Sequence, residues 1–269
     1  MILYSKSARW TAWTFFALLA ATFFGLPLLM LLLAAVARQW NGALVSQFGI
    51  DHLVEAVQGA RGKALVTSLL TASISGLGSL VLGTWGALAA RNAGAGLRRF
   101  LDAIYILPLT LPTVTVGLAL LVTFSRAPFF LNGTPCLVIM AHIILVTAYA
   151  YNCIRAGLER LEPTYEQVAA SLGGSRATIL RRVTLPLLKP YLAAAASLSF
   201  AFSMGELGAT IMVYPPGWVT APVDIYALTD RGAIFTGAAL SVLLLGAAVS
   251  ALLLFNRLGR NGPGQGKNY

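Results

Sequence analysis

The chain is poor in charge. Acidic and basic residues make up 10% of its 269 positions, while hydrophobic residues make up 58%. An ordinary soluble domain carries roughly 25% charged residues. No soluble fold of this length hides so much apolar surface, so an integral membrane protein is implied. Cysteine is nearly absent. Cys136 and Cys153 fall in one apolar run, where helical rise separates them by roughly 25 Å. That is too far for a disulfide within the helix, and both read as small core residues. Histidine is as scarce. His52 and His142 cannot build a histidine metal cluster, and no metal site is expected; His142, inside an apolar run, reads as a packed histidine.

Catalytic signatures are missing too. No G-x-x-x-x-G-K-[ST] occurs, and "GARGKA" at 59–64 lacks both the spacing and the hydroxyl. There is no H-E-x-x-H and no G-x-S-x-G. The 9 acids and 2 histidines are too scattered for a membrane enzyme acting on lipid. If the protein uses ATP, another chain must bind it. The net charge of +10 does not point to nucleic acid. No basic groove with interleaved aromatics is present, and basic residues of membrane proteins gather on cytoplasmic loops.

What the chain has is long apolar runs. A helix needs about 20 apolar residues to cross a bilayer. Six runs qualify, near 11–37, 64–90, 100–125, 136–154, 187–213 and 233–256. The expected fold is therefore all-α, a single six-span transmembrane domain over residues 1–269, because lipid offers the backbone no other partner. The first run follows Lys6 and Arg9 and ends near "AVA" at 35–37, as a signal peptide does. A cleavable apolar region is usually about 7–15 residues long, so this one is expected to stay as an uncleaved first helix.

The loops divide the basic residues unequally. One side receives Lys6, Arg9, Arg91, Arg98, Arg99, Arg155, Arg160, Arg176, Arg181, Arg182, Lys189, Arg257, Arg260 and Lys267, which is 14 of 19. The other receives Arg38, Arg61, Lys63, Arg126 and Arg231. The positive-inside rule then predicts that both termini, and the loop 155–186, are cytoplasmic. On the outer side, Asp51 is a predicted N-cap for a short surface helix with Leu53, Val54 and Val57 on its apolar side. In the other outer segment, 214–232, Pro215, Pro216 and Gly217 stop a helix. "APVDIYALT" starts a new one, with Trp218 and Tyr226 as interface anchors. Asn132-Gly133-Thr134 reads as a turn more than as a glycosylation acceptor.

Three spans carry polar signals. In the second, Ser75, Ser79 and Gly83 fall four apart and predict close approach of a neighbouring helix. In the third, Pro108 and Pro112 each remove a backbone donor. Thr110, Thr113 and Thr115 can satisfy the carbonyls so freed. Such a helix either lines a pathway or is kinked for packing. In the fifth, Glu206 sits in "SMGELGAT" with Ser203, Gly205 and Gly208 around it. An intramembrane carboxylate is costly and faces a cavity or a partner; the other reading is a side chain snorkelled to the outer rim. The candidate pathway or gate residues are thus Glu206, Ser203, Gly205, Gly208, Pro108, Pro112 and Thr113.

The loop "EQVAASLGGSRATILRRVTLP" at 166–186 is the most polar stretch of its length. Thr164 to Gln167 fits a T-x-x-Q capping box. Tyr165, Val168, Ala169 and Leu172 then share one helix face. Gly173 and Gly174 end the helix, Ser175 caps a second one, and Pro186 marks entry to the fifth span. A short helix with an exposed apolar stripe is marginal alone and suits a groove on a partner.

This loop resembles the cytoplasmic signature of permease subunits from binding-protein-dependent ABC importers. That pattern is E-A-A, three residues, G, nine residues, I-x-L-P, and Gln167, Val168, Ala169, Gly173, Val183, Leu185 and Pro186 fall at its spacings. Glutamine replaces glutamate, valine replaces alanine at 168, and valine replaces isoleucine at 183; Glu166 stands one residue early. The resemblance implies that Tyr165, Glu166, Gln167, Val168, Ala169, Leu172, Gly173, Leu185 and Pro186 form the coupling loop. It would dock on a cytosolic ABC ATPase dimer, which would hold the ATP and Mg, leaving no cofactor in this chain. It also implies a second permease subunit (identical or homologous), a periplasmic or extracellular substrate-binding protein, and a multi-pass place in the lipid of a bacterial cytoplasmic membrane. "QWNG" and "SMGELGATIMVYPPGWVTAPVDIYALTDRG" look most like permeases of 2-aminoethylphosphonate importers. Other small solutes (a polyamine, iron, thiamine or an oxyanion) are the alternatives, since the motif around Glu206 looks shared among importers. Glu206 is accordingly assigned to the gate and not to substrate choice.

Overall fold

The computed structural model describes residues 6–42 and 45–260; Lys267 lies outside the described residues. The described chain is helical apart from one two-stranded ribbon. Helices α1 (Lys6–Ala20) and α2 (Leu26–Ala35) are joined by a π-helical turn, Ala21–Gly25, into one apolar span. Strands β1 (Ala37–Gln39) and β2 (Gln47–Phe48) pair antiparallel. Then come α3 (Asp51–Val57), α4 (Gly59–Asn92), α5 (Ala95–Thr110), α6 (Thr113–Thr123) and α7 (Pro135–Arg160). They are followed by α8 (Pro163–Ser171), α9 (Arg176–Ile179), a π-helical turn Leu180–Thr184 and α10 (Leu185–Leu187). The last helices are α11 (Lys189–Met204), α12 (Thr210–Val213), α13 (Ala221–Asp230) and α14 (Ile234–Arg260).

Four continuous helical stretches, Arg9–Ala35, Gly59–Asn92, Pro135–Arg160 and Ile234–Arg257, are long and apolar enough to cross a membrane. Two bent pairs complete the predicted six. The third span is broken and not merely kinked: α5 and α6 meet at 105°. The cause is local. Pro112 bars its predecessor from the helical region, and Leu111 accordingly takes φ −96°, ψ 140°. Pro108 is accommodated inside α5. The fifth span also departs from the single run 187–213. Its helix starts at Lys189 with Pro190 in the first turn, 66° off the preceding segment, and it stops at Met204. Gly205 to Ala209 then leaves the helix before α12.

Among the described residues two compact units can be distinguished, the chain up to Gly62 with 224–243, and 63–223 with the chain from Leu244 onward. In the first, Arg38 of the ribbon pairs with Asp51, so Asp51 is the first residue of α3 and Ile50 is its N-cap. Charge pairing has claimed the carboxylate that the sequence offered as a cap. Further on, Arg61 reaches Glu55 at 3.2 Å, and Thr236 donates to Glu55 at 3.1 Å. The apolar span exposes Trp10, Trp13, Phe15, Phe16, Phe23 and Phe24. In water such a surface would be a liability; in lipid it is solvated.

The second unit is built around α7. The small face of α4 is buried as expected: Ser75, Ser79 and Gly83 are all covered. A Cβ on Gly83 would lie 2.8 Å from the backbone nitrogen of Tyr151, so glycine sets how closely α4 approaches α7. Ala87, Ala90, Ala150, Tyr151, Ile154 and Leu188 form one buried cluster there. Val116, Leu120, Leu137, Leu145 and Val213 form a second between α6, α7 and α12. Tyr105 of α5 stacks on Tyr151 at 4.4 Å, while Asp102 accepts from the Tyr151 hydroxyl and from Arg155 at 3.4 Å. Trp218 is half-buried. Its indole donates to Thr71 at 2.9 Å and its ring packs on the second cluster, because the Pro215–Pro216 turn folds it inward.

Candidate functional site

The polar loop is a helix–turn–helix whose ends are set by sequence. Helix α8 starts one residue before the predicted capping box: Glu162 is the N-cap, without a side-chain bond, and Pro163 occupies the first turn. Proline pre-sets the backbone there, which leaves Thr164 and Gln167 inside the helix. The C-terminus matches expectation. Gly173 has φ +83°, and its N–H reaches Ala170 O at 3.0 Å while Gly174 N–H reaches Ala169 O at 3.0 Å. This pair of bonds is a Schellman closure, and the left-handed residue in it needs glycine. Ser175 caps α9, accepting from Thr178 N–H at 3.3 Å.

The predicted stripe divides on folding. Tyr165, Val168 and Leu172 are exposed, Leu172 at 83%, whereas Ala169 is half-buried. Gln167 is exposed, and Leu185 and Pro186 are half-buried in α10. Glu166 points the other way. Its carboxylate takes a two-pronged bond from Arg91 at the end of α4, at 2.9 and 2.7 Å, and a third from the buried Thr184 hydroxyl at 2.6 Å. Hydrogen bonds from the Arg91 guanidinium hold the Glu166 carboxyl below its ordinary range against the opposing effect of burial. A bidentate Arg–carboxylate pair fixes geometry as well as charge. It ties α8 and the π-helical turn to the second span, beside a cleft of about 820 Å³ that Arg91, Glu166, Gln167, Arg176 and Thr184 help to line.

Glu206 sits where the helices break. It follows Gly205, the C-cap of α11, and is half-buried. The carboxylate turns back on its own chain instead of reaching outward. Oε1 accepts from Ala209 N–H at 2.6 Å, and the Gly208 N–H and the Thr113 hydroxyl lie close by. Thr113 is the first residue of α6, so the acid lies at that helix's positive end. Close approach makes the meeting possible. A Cβ on Gly117 would lie 2.6 Å from Ala209 O, and one on Gly208 would run into Thr113 Oγ1. Of the other sequence candidates, Pro108 lines the same cavity as Thr113 and Glu206, and Pro112 is the N-cap of α6. Ser203 is buried behind the cavity, while Gly205 has room around its Cα and is needed for no close contact.

The cavity holds about 240 Å³ and is also lined by His142, Tyr149 and Phe202. Tyr149 and Phe202 stack at 3.9 Å, 10° from parallel. His142 is buried and satisfied at both nitrogens, Nδ1 by Ser203 at 2.7 Å and Nε2 by Thr210 at 2.8 Å. Ser203 meets Ser75 at 3.0 Å, and Ser75 donates to Thr71 O at 2.6 Å. With a neutral ring, the order in which Thr210 donates to Nε2, Nδ1–H to Ser203 and Ser203 to Ser75 keeps these four contacts and gives up the 3.2 Å bond from the Thr210 hydroxyl to Glu206 O. The packed-histidine reading therefore holds, with the addition that His142 backs a cavity.

Sequence reasoning missed Arg91, Thr184, Tyr149 and Phe202. Arg91 was visible only as one more cytoplasmic charge, and nothing in a single sequence links it to Glu166, 75 positions away. The stacked rings come from α7 and α11, whose pairing is tertiary.

The chain belongs to the family of binding-protein-dependent transport system inner membrane components, whose family model matches residues 79–258. It is a multi-pass subunit of an ABC importer, in which ATP hydrolysis belongs to a separate subunit. A Salmonella typhimurium protein named as a 2-aminoethylphosphonate transport system permease, PhnV, is 42% identical over 260 residues, 97% of this chain and 98% of that one. The molybdenum transport system permease ModB of Mycobacterium tuberculosis is 34% identical over 206 residues, 71% of this chain and 76% of that one. A crystal structure of a bacterial ABC transporter that imports the polysaccharide alginate shares the fold. Its TM-score is 0.73 at 20% identity, covering 92% of this chain and 95% of that one.

Proposed function

We propose that this chain is the permease of a 2-aminoethylphosphonate importer in a bacterial inner membrane, with both termini cytoplasmic. The observation that carries the substrate is the 42% identity to PhnV along 97% of the chain. In this reading α8 is the coupling helix. The exposed Tyr165, Val168 and Leu172 enter a cleft on a cytosolic ATPase dimer that binds ATP and Mg, and Gly173 keeps the turn narrow. Leu185 and Pro186 pass the movement to the fifth span, and the Arg91–Glu166–Thr184 clasp passes it to the second. A second permease, identical or homologous, completes the pathway, and an extracytoplasmic binding protein delivers the substrate. The breaks at Leu111–Pro112 and Gly205–Ala209, bridged by Thr113 and Glu206, form the gate.

Uptake of labelled 2-aminoethylphosphonate by cells with and without this chain tests the substrate. Uptake that depends on the chain is expected; equal uptake would remove the assignment. An oxyanion importer is the second reading, supported by the likeness to ModB, and labelled molybdate in the same cells checks it.

A further inference from the structure

The cavity between the two helix breaks has a chemistry that the gate role leaves unused. Glu206 is the one charged side chain in its lining, and among the described residues it forms no ion pair with a lysine or arginine. The Ala209 amide orients the carboxylate without neutralising it. Tyr149 and Phe202 add two aromatic rings to the same wall. Aromatic faces attract cations through their quadrupoles, and an intramembrane acid without an ion-pair partner among the described residues is a functional group by default. The polar groups behind the wall are already spent: both His142 nitrogens are bonded to Ser203 and Thr210. The lining therefore offers a carboxylate and two aromatic rings, and no lysine or arginine to hold an anion. Its volume of about 240 Å³ far exceeds the roughly 10–15 Å³ that one water needs.

We infer that this cavity is a transient subsite for a primary ammonium group, held between the Glu206 carboxylate and the Tyr149–Phe202 pair. An anionic end of the same molecule is repelled by Glu206 and stays outside the cavity. For 2-aminoethylphosphonate this orients the zwitterion, ammonium toward the helix breaks and phosphonate away. The assignment to that substrate rests on the proposed function; the cation preference rests on the cavity alone.

Saturation-transfer NMR on the intact solubilised importer tests it with three probes: ethylammonium, 2-aminoethylphosphonate and ethylphosphonate. Ethylammonium is expected to receive saturation and ethylphosphonate none. In 2-aminoethylphosphonate the methylene beside nitrogen is expected to receive more than the one beside phosphorus. Glu206→Gln keeps an oxygen for Ala209 N–H and removes the charge, and should cut the ethylammonium signal about tenfold. Phe202→Leu should weaken it less. Co-purification of the ATPase with each variant verifies that the complex is assembled. Equal signals for ethylammonium and ethylphosphonate, or an undiminished signal in an assembled Glu206→Gln complex, would overturn the subsite. Ethylammonium transfer without any chain-dependent uptake of 2-aminoethylphosphonate would leave the cation subsite standing and remove the substrate.

Discussion

Glu166 and Glu206 are both half-buried acids in the same helical unit, and they are satisfied in opposite ways. Glu166 has a guanidinium and a buried hydroxyl brought to it from α4 and the π-helical turn. Glu206 has its own backbone, at 2.6 Å from Ala209 N–H, with Thr113 of α6 close by. The first arrangement neutralises a charge and ties three segments into one joint. The second orients a charge and leaves it available. In the proposed function, the coupling joint uses the fixed geometry and the gate uses the acid that forms no ion pair. The environment, not the residue type, makes the difference.

The comparison breaks most sharply at Arg91. Arg91→Glu sets two carboxylates face to face and should abolish ATP-driven uptake while the chain still inserts. Swapping the pair in Arg91→Glu/Glu166→Arg should restore part of it. Hydrogen bonds to charged groups contribute about 1.5–3 kcal/mol each, so thermal unfolding of the complex should fall and recover in step. If the swap recovers nothing while Thr184→Val is harmless, the clasp is not the joint.

Next comes Gly173→Trp. No atom lies within 4 Å of a Cβ there, but φ is +83°. Left-handed backbone costs a non-glycine residue roughly 1–2 kcal/mol, and the bulk blocks entry to a cleft. Membrane insertion should be normal and uptake strongly reduced; undiminished uptake would remove α8 from the ATPase interface.

At the other acid, Gly208→Ala drives a methyl into Thr113 Oγ1. Overpacking typically costs about 1–3 kcal/mol, so the assembled importer should unfold at a lower temperature, and its uptake should drop further than its stability. Gly205→Ala, with nothing nearer than 3.8 Å, should change neither.

The smallest effect is that of pH on the clasp. The folded Glu166 carboxyl lies below its ordinary 4.5, so its stabilisation is complete above that value and is lost as pH falls through the depressed one. Hydrogen exchange of the Glu166 and Gln167 amides should show unchanged protection down to the ordinary glutamate range and loss only in stronger acid. Loss at mildly acidic pH would mean that the pair is open in solution.

How much of this was legible can be seen residue by residue. The spans were legible because lipid leaves apolar runs only the helix. Gly173 was legible because only a left-handed residue closes that turn. Leu111 was predictable from Pro112 in principle, yet a single kinked helix was the expectation; beyond the break, α6 packs against Ala209 through Gly117, a contact no local pattern records. The T-x-x-Q box failed because Pro163 starts the helix earlier. The ribbon Ala37–Gln39 with Gln47–Phe48 carries no pattern long enough to announce itself.

By itself, then, the sequence determined the membrane class, six apolar spans and a polar helical loop with its glycine and serine ends, since each follows from local composition or backbone preference. Tertiary structure alone decided which acid is neutralised and which is left open. Arg91 and Glu166 are 75 positions apart, and the cavity gathers residues from α5, α6, α7 and the α11 break. Such meetings depend on the packing of whole helices, which no local pattern records.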